Sequence, residues 1–321
     1  MTAKFADLTV EQQVETMLPL AKQVIAGFNL GECELESINH EFNSTFKVTA
    51  ANGDRFAMRI NVNSQRTLPN LKAEIFWVEQ LAGEPGINVP SPLKNAAGEY
   101  ITAVWHPMLE RDLFAVLFTW LEGEELGDEP TEEMMRATGR SMARMHIAAR
   151  DTRLPSGAAL PTVDDMFWGN TDAITPSEQL TAEDKATLGR AIEHIETTTK
   201  AMYARSKPQL IHADIHPWNV MWQDGDVAVF DFDDCVIGIP AQDIAVTLYY
   251  NDTAEQDAAF LAGYQEIAPL PDYSDDEMKV LRLQRRIFLL SYILETENPE
   301  HRAMVPKYLA ETLRRIKEQL G

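Results

Sequence analysis

Three oxygen-bearing side chains within one short stretch could do chemistry together: the carboxylate of Asp214, the amide of Asn219 and the carboxylate of Asp231. Around them, Val220-Met-Trp222 and Val227-Ala-Val-Phe230 are apolar runs of strand type, and Asp224-Gly225 between them is a strong turn signal. A three-residue loop, Asp224 to Asp226, pairs Gln223 with Val227 and sets Asn219 directly opposite Asp231. A two-residue loop makes Asn219 and Asp231 diagonal neighbours instead, still close at the open end of a hairpin. In either register an amide oxygen and a carboxylate converge, with Asp214 on the loop just before them. Hard oxygen donors so arranged suit Mg²⁺, which keeps some waters and shares phosphate oxygens with a nucleotide.

The same letters allow another reading. His212, Asp214 and His216 alternate, so an extended backbone would put all three on one face as a transition-metal site. Such a centre needs further ligands. The chain offers no other His pair at ligand spacing, and Cys33 and Cys235 do not form a Cys-x-x-Cys unit. His212 is better suited to bracing the loop by hydrogen bonds, and His216 to orienting it or meeting substrate.

The rest of the chain must position this stretch. Its 321 residues, 45% hydrophobic and 24% charged, suffice for one large or two ordinary domains with a good core. Fifty acidic against twenty-eight basic residues give a net charge of −22, which argues against a nucleic-acid partner. Solubility accounts for that excess; a site that attracts cationic substrates such as amines is the functional alternative. Two cysteines make no disulfide framework, the N-terminus lacks the apolar stretch of a secretion signal, and no run is long enough for a membrane span. A reducing cytoplasm is the expected address.

Residues 1–30 read as helical, with Thr9-Val-Glu-Gln12 in the form of a capping box and Pro19 placed to kink or split the helix. From Leu35 to Asn61 the pattern is that of strands, Phe46–Ala50 and Arg55–Ile60 being joined through Asn52-Gly53. Asn39 to Thr45 is then the turn between the first two strands. Leu71 to Leu81 is an amphipathic helix with Leu71, Ile75, Val78 and Leu81 on one stripe. Tyr100–Trp105 and Arg111–Trp120 complete a sheet of about five strands. Leu121-Glu-Gly-Glu-Glu-Leu126 reads as a crossing, with Gly123 supplying backbone freedom. The remainder is mainly helical: Pro130–Ala149 with Met135, Met142 and Met145 as core, Thr181–Tyr203, a Ser274-Asp-Asp-Glu277 capping box before Met278–Leu294, and Lys307–Leu320. The long connection Ser156–Pro176 carries Trp168, read as a packed aromatic.

The spacing His212-x-Asp214-x-x-x-x-Asn219, with Asp231 a hairpin later, has the layout of a kinase catalytic loop followed by its metal-holding Asp. The segment His212-Ala-Asp-Ile-His-Pro-Trp-Asn219, then Asp231-Phe-Asp233, more closely resembles the aminoglycoside phosphotransferase and choline kinase family, and Gly238-Ile-Pro-Ala-Gln-Asp-Ile-Ala245 matches its next motif. The chain is also similar to type II homoserine kinases, in Met58-Arg59-Ile60.

This resemblance covers nearly the whole chain and implies an α+β, bilobal protein-kinase-like fold. A small antiparallel-sheet lobe, residues 1–121, would bind nucleotide; a larger, mainly helical lobe, residues 122–321, would carry catalysis and substrate. It implies an ATP- and Mg²⁺-dependent transfer of the γ-phosphoryl group to a hydroxyl of a small molecule: an amine, amino acid, sugar or aminoglycoside-like acceptor. Asp214 would take the hydroxyl proton, and Asn219 and Asp231 would hold the metal. Arg59 stands where kinases carry a lysine for the phosphates, and Arg differs from Lys in shape and hydration. Glu74, rather than Glu79, would pair with it. The Asn43-Ser44-Thr45 turn would cover the phosphates, the adenine would lie against the crossing near Trp120, and Asp243 would start a helix and bond back to the catalytic loop. Asp233 and Asp234 could serve a second metal, a cationic substrate or only solvation. A Ser/Thr protein kinase of the same fold and a non-catalytic nucleotide-binding regulator are the alternatives.

Overall fold

The computed structural model describes residues 4–164, 166–296 and 299–320. The chain divides into two compact units, Met1–Gly123 with Leu154–Ala159, and Glu124–Arg153 with Leu160–Gly321.

In the first unit a helix, α1 (Val10–Ile25), precedes the strands β1 (Cys33–His40), β2 (Asn43–Ala50) and β3 (Arg55–Asn61). Then come the helix α2 (Leu68–Ala82), a two-residue strand β4 (Pro92–Leu93), β5 (Ile101–His106) and β6 (Arg111–Thr119). The strands make one antiparallel sheet in which β1, β2, β3 and β6 follow in order, and β4 and β5 both pair with β6. Alternation sets its faces: Phe46, Val48 and Ala50 of β2 and Met58 and Ile60 of β3 join Met17, Leu20 and Val24 of α1 in one core.

One expectation for this unit is narrowed and another needs correction. Of the two outcomes expected at Pro19, a split is excluded, since Pro19 lies inside the continuous helix α1. It is on the exposed face, where the carbonyl it leaves unbonded, four residues back at the equally exposed Glu15, can be met by water. The turn between β1 and β2 is only Glu41-Phe42, so Asn43, Ser44 and Thr45 are strand residues opposite Asn61, Ile60 and Arg59 of β3.

The second unit is mainly helical. It holds the short strand β7 (Glu124–Glu125), helices α3 (Glu132–Ala149) and α4 (Ala182–Arg205), and strands β8 (Gln209–Ile211), β9 (Val220–Gln223), β10 (Asp226–Val229) and β11 (Val236–Gly238). Helices α5 (Pro240–Tyr250), α6 (Ala254–Gln265), α7 (Asp275–Glu295) and α8 (Pro299–Leu320) complete it. The capping residues Thr181 and Ser274 start α4 and α7 as expected, with Asp184 and Glu277 bonding back. Met135, Met142 and Met145 are all buried. Helices α3 and α6 approach so closely that a Cβ on Gly139 would stand 2.0 Å from the Phe260 carbonyl oxygen, and one on Gly263 1.9 Å from that of Arg136. Either glycine is therefore fixed by backbone contact. Among the described residues no helix is long and apolar enough to cross a membrane.

Candidate active site

The loop between β8 and β9 is held from behind by a buried carboxylate. Asp243, in the first turn of α5, accepts from the backbone amides of His212 (3.1 Å) and Ala213 (2.8 Å). It also accepts from His146 Nε2 (2.9 Å), whose Nδ1 takes the Tyr264 hydroxyl at 2.9 Å. Burial alone would raise the Asp243 carboxyl, but His146, His212 and the Ala213 amide together hold it below the usual range. The pinned backbone is strained: Ala213 has φ +67°, a left-handed conformation that costs a non-glycine residue roughly 1–2 kcal/mol. His212, fully buried, donates from Nε2 to the Phe230 carbonyl (3.1 Å) and accepts the Asp214 amide at Nδ1 (3.3 Å). Both ring nitrogens thus serve backbone groups, and burial pushes the imidazole toward its neutral form. That removes His212 from the alternative transition-metal set, and among the described residues no group of three or more His, Cys, Asp or Glu could hold a metal.

The hairpin after this loop has the shorter of the two turns. Asp224 and Gly225 both have positive φ, +54° and +86°, the pattern of a two-residue turn matched to strand twist. Gln223 accordingly pairs with Asp226 and Val220 with Val229, not Gln223 with Val227. Asn219 then stands opposite Phe230, whose amide donates to its carbonyl at 3.1 Å, and Asp231 is its diagonal neighbour. The Asn219 side chain donates from Nδ2 to the carbonyl (3.0 Å) and to Oδ2 (3.3 Å) of Asp214. This fixes which end is which: the amide nitrogen faces Asp214, leaving Oδ1 as the end suited to a cation. Asp231 is exposed, with a left-handed backbone at φ +60°. One amide oxygen and one carboxylate, both hard donors, fit Mg²⁺ that completes its shell with water and phosphate. Asp233 and Asp234 come next in a half-exposed single turn.

One residue at this site was not anticipated. Arg285, in the middle of α7 and 3% exposed, forms an ion pair through Nη2 with Asp214 Oδ1, and the same nitrogen donates to the Tyr250 hydroxyl at 2.8 Å. Trp168, Tyr250 and Phe288 enclose its guanidinium, with ring centroids 5.8, 5.4 and 5.3 Å from Cζ. On the other oxygen, His216 Nε2 stands 3.5 Å from Asp214 Oδ2. Burial would raise the Asp214 carboxyl, but Arg285, then His216 and His212, hold it down at about 2. The sequence did carry a signal: Arg285-Arg286 lies between the apolar residues Leu283 and Ile287 of the helix, and a buried arginine demands a carboxylate or an aromatic face.

In the first unit, Arg59 on β3 and Glu74 on α2 meet in an ion pair of 2.5 Å, with side chains 8% and 3% exposed. Glu79 instead lies at the surface and receives the Tyr100 hydroxyl. Asn43 and Thr45 lie half-buried on one face of β2, whereas Ser44 points the other way. Ser44 is fully buried and bonded to His40 Nδ1 at 2.6 Å, so its hydroxyl is not presented as the turn expectation required. Trp120, half-buried after β6, lies under Lys47 and Arg55, 5.7 and 5.9 Å from its ring.

Comparison with known proteins gives the family and the fold. A family model described as "Phosphotransferase enzyme family" matches residues 34–277. A homoserine kinase of Gluconobacter oxydans (strain 621H) is 28% identical over 283 residues, 83% of this chain and 83% of its own. An amicoumacin kinase of Bacillus subtilis (strain 168) is 23% identical over 226 residues, covering 66% of this chain and 65% of the relative. Among solved structures, a microcompartment-associated aminopropanol kinase superposes with a TM-score of 0.78 at 19% identity, over 94% of this chain and 97% of the other. An amicoumacin kinase in complex with AMP-PNP and Ca²⁺ gives 0.77 at 17%, over 95% and 96%. The fold is kinase-like, a unit built on an antiparallel sheet followed by a mainly helical one.

Proposed function

This chain belongs to the phosphotransferase enzyme family, and on that premise we propose that it transfers the γ-phosphoryl group of ATP to a hydroxyl of a small molecule in the cytoplasm. The observation that carries the reading is the Asp214 carboxylate, fixed on a loop that Asp243 pins and bonded to the side-chain amide of Asn219. In this reading the acceptor oxygen forms its bond to the γ-phosphorus while its proton passes to the Asp214 carboxylate. The bond to the bridging oxygen breaks, ADP departs, and Asp214 returns the proton to solvent. Catalysis is chiefly alignment and charge stabilisation, as expected for phosphoryl transfer. Asn219 and Asp231 would hold Mg²⁺, which when bound neutralises charge on the phosphate oxygens.

Residues 1–121 are assigned to the nucleotide and residues 122–321 to chemistry and acceptor. Arg59, steadied by Glu74, would contact phosphate, with Asn43 and Thr45 as polar neighbours and Trp120 beside the base. The names of the relatives, which are kinases of homoserine, amicoumacin and aminopropanol, support a small hydroxylated amine or amino acid as acceptor. The complete set of polar residues in the loop argues against a regulator without turnover.

The test is ADP release from ATP and Mg²⁺ over a panel of L-homoserine, amino alcohols, sugars and aminoglycosides. At least one acceptor should raise release above the rate without acceptor, and Asp214→Asn should lower that turnover by about 10²–10⁴-fold. Parental turnover in Asp214→Asn would remove Asp214 as the base. Unchanged binding of the magnesium nucleotide in Asp231→Ala would remove the metal assignment.

A further inference from the structure

The two oxygens of Asp214 are held very differently. Oδ1 faces a buried cation that the fold immobilises: Arg285 is 3% exposed, is ringed by Trp168, Tyr250 and Phe288, and shares its Nη2 with the Tyr250 hydroxyl. Oδ2 has only longer contacts, 3.3 Å to Asn219 Nδ2 and 3.5 Å to His216 Nε2. A guanidinium is planar and rigid, so an arginine trapped among rings holds Oδ1 in place as well as meeting its charge. Nε and Nη1 of Arg285 find no hydrogen-bond acceptor among the described residues; the aromatic rings and the negative charge of Asp234 are what the rest of the cation meets.

We propose that Arg285 is a positioning residue for phosphoryl transfer: by holding Oδ1 it turns Oδ2 toward the acceptor and makes that oxygen the sole recipient of the hydroxyl proton. The assignment rests on the proposed role of Asp214 and adds to it the oxygen that acts and the residue that selects it. In the step so described, the acceptor O–H bond breaks with its proton going to Oδ2, the O–P bond forms, and the bond from phosphorus to the β–γ bridging oxygen breaks to release ADP. Arg285 touches none of the reacting atoms. Its removal frees the carboxylate to rotate between two equivalent orientations, which lowers the fraction aligned with the hydroxyl.

The experiment measures ATP turnover in Arg285→Ala and Arg285→Lys, with L-homoserine as acceptor and, without it, with water as acceptor. Arg285→Ala should lose about 100-fold in kcat with KM for ATP unchanged within about threefold. Adding guanidinium at roughly 50 mM, far below denaturing concentrations, should restore at least about tenfold by refilling the aromatic enclosure. Arg285→Lys should fall between the two. A residue that only stabilises the fold predicts otherwise: kcat per folded molecule within about threefold of the parent in both variants, or a loss that neither lysine nor guanidinium mends. Either result overturns the proposal. If Arg285→Ala does not fold, Tyr250→Phe decides, since it removes one anchor of Nη2: a several-fold lower kcat at parental Tm supports positioning, and an unchanged kcat refutes it. Asp214→Asn is run in parallel. Parental turnover there sinks the role of Asp214 itself, whereas an inactive Asp214→Asn beside active Arg285 variants sinks only this inference.

Discussion

Among the described residues, each unit of the molecule buries an arginine against a carboxylate, and these two pairs are put together in opposite senses. In the first, Arg59 is on β3 in the middle of a sheet, between Thr45 and Val116, and Glu74 comes from the next helix. In the second, the carboxylate of Asp214 is on a strained loop, and Arg285 comes from a helix 71 residues further on. The proposed roles are reversed accordingly: in one pair the cation meets substrate and the acid steadies it, in the other the acid meets substrate and the cation steadies it. Two buried ion pairs that look alike as contacts are thus expected to fail differently when the supporting partner is removed. Loss of Glu74 should act on nucleotide binding, and loss of Arg285 on turnover.

Glu74→Gln should have the largest effect on stability. With side chains 8% and 3% exposed, neither member of the pair can fall back on water. Removing one charge breaks a buried ion pair, a change that typically costs about 3–5 kcal/mol. The urea midpoint should fall by that measure, and KM for ATP should rise more than kcat falls. A variant with parental stability and parental KM would show that Arg59 does not depend on Glu74, and the contrast between the pairs would collapse.

Asp243→Asn sharpens the comparison from the other side, because only the second pair stands on a loop that needs external support. Asparagine keeps one acceptor for the loop amides but loses the charge opposite His146, so a loss of about 2–3 kcal/mol is expected. Acid unfolding separates the causes. Asp243 is held below its ordinary 3.8 in the fold, so the stability it adds is present above that pH and is lost as pH falls through and below it. His212 is held below its ordinary 6.5, so it too favours the fold above 6.5, and that contribution fades as pH falls from there. The parent should therefore weaken in two stages on acidification, and Asp243→Asn should keep the first and show a smaller second, the remainder coming from Asp214. Identical acid limbs in the two proteins would mean that Asp243 is not ionised in the fold.

How much the sequence disclosed depends on the range of the forces involved. Helix starts at Thr9, Thr181 and Ser274 are written within four residues, and the capping boxes formed there. The grouping of the candidate catalytic loop was legible because its members lie within eight residues, His212 to Asn219. The hairpin register was not, because one residue more or less in the turn is decided by whether Asp224 accepts positive φ, and both outcomes have the same composition. Ser44 was read as a turn donor because nothing local shows that His40, itself bonded to Gln13 of α1 at 2.8 Å, would claim its hydroxyl. Arg285 was hidden for the same reason at longer range. Its partners Asp214, Tyr250 and Trp168 lie on three separate segments, and only packing brings them to one point.

The smallest effect is expected at Ala213, where the backbone of the second pair's loop is strained while β3, which carries Arg59, is regular. Glycine at this position would remove a left-handed penalty of roughly 1–2 kcal/mol. It would also enlarge the unfolded ensemble, worth about 0.4–1 kcal/mol in the opposite sense. The two nearly cancel, so Ala213→Gly should change stability by less than about 1 kcal/mol in either direction. Valine, which is β-branched and tolerates positive φ poorly, should destabilise by clearly more at the same fully buried position. Comparable losses in the glycine and valine variants would mean that side-chain packing, and not the backbone conformation held by Asp243, is what matters there. In that case the loop would resemble the regular strand under Arg59 more closely than the φ angles indicate, and the difference between the two pairs would rest on Arg285 and its aromatic enclosure alone.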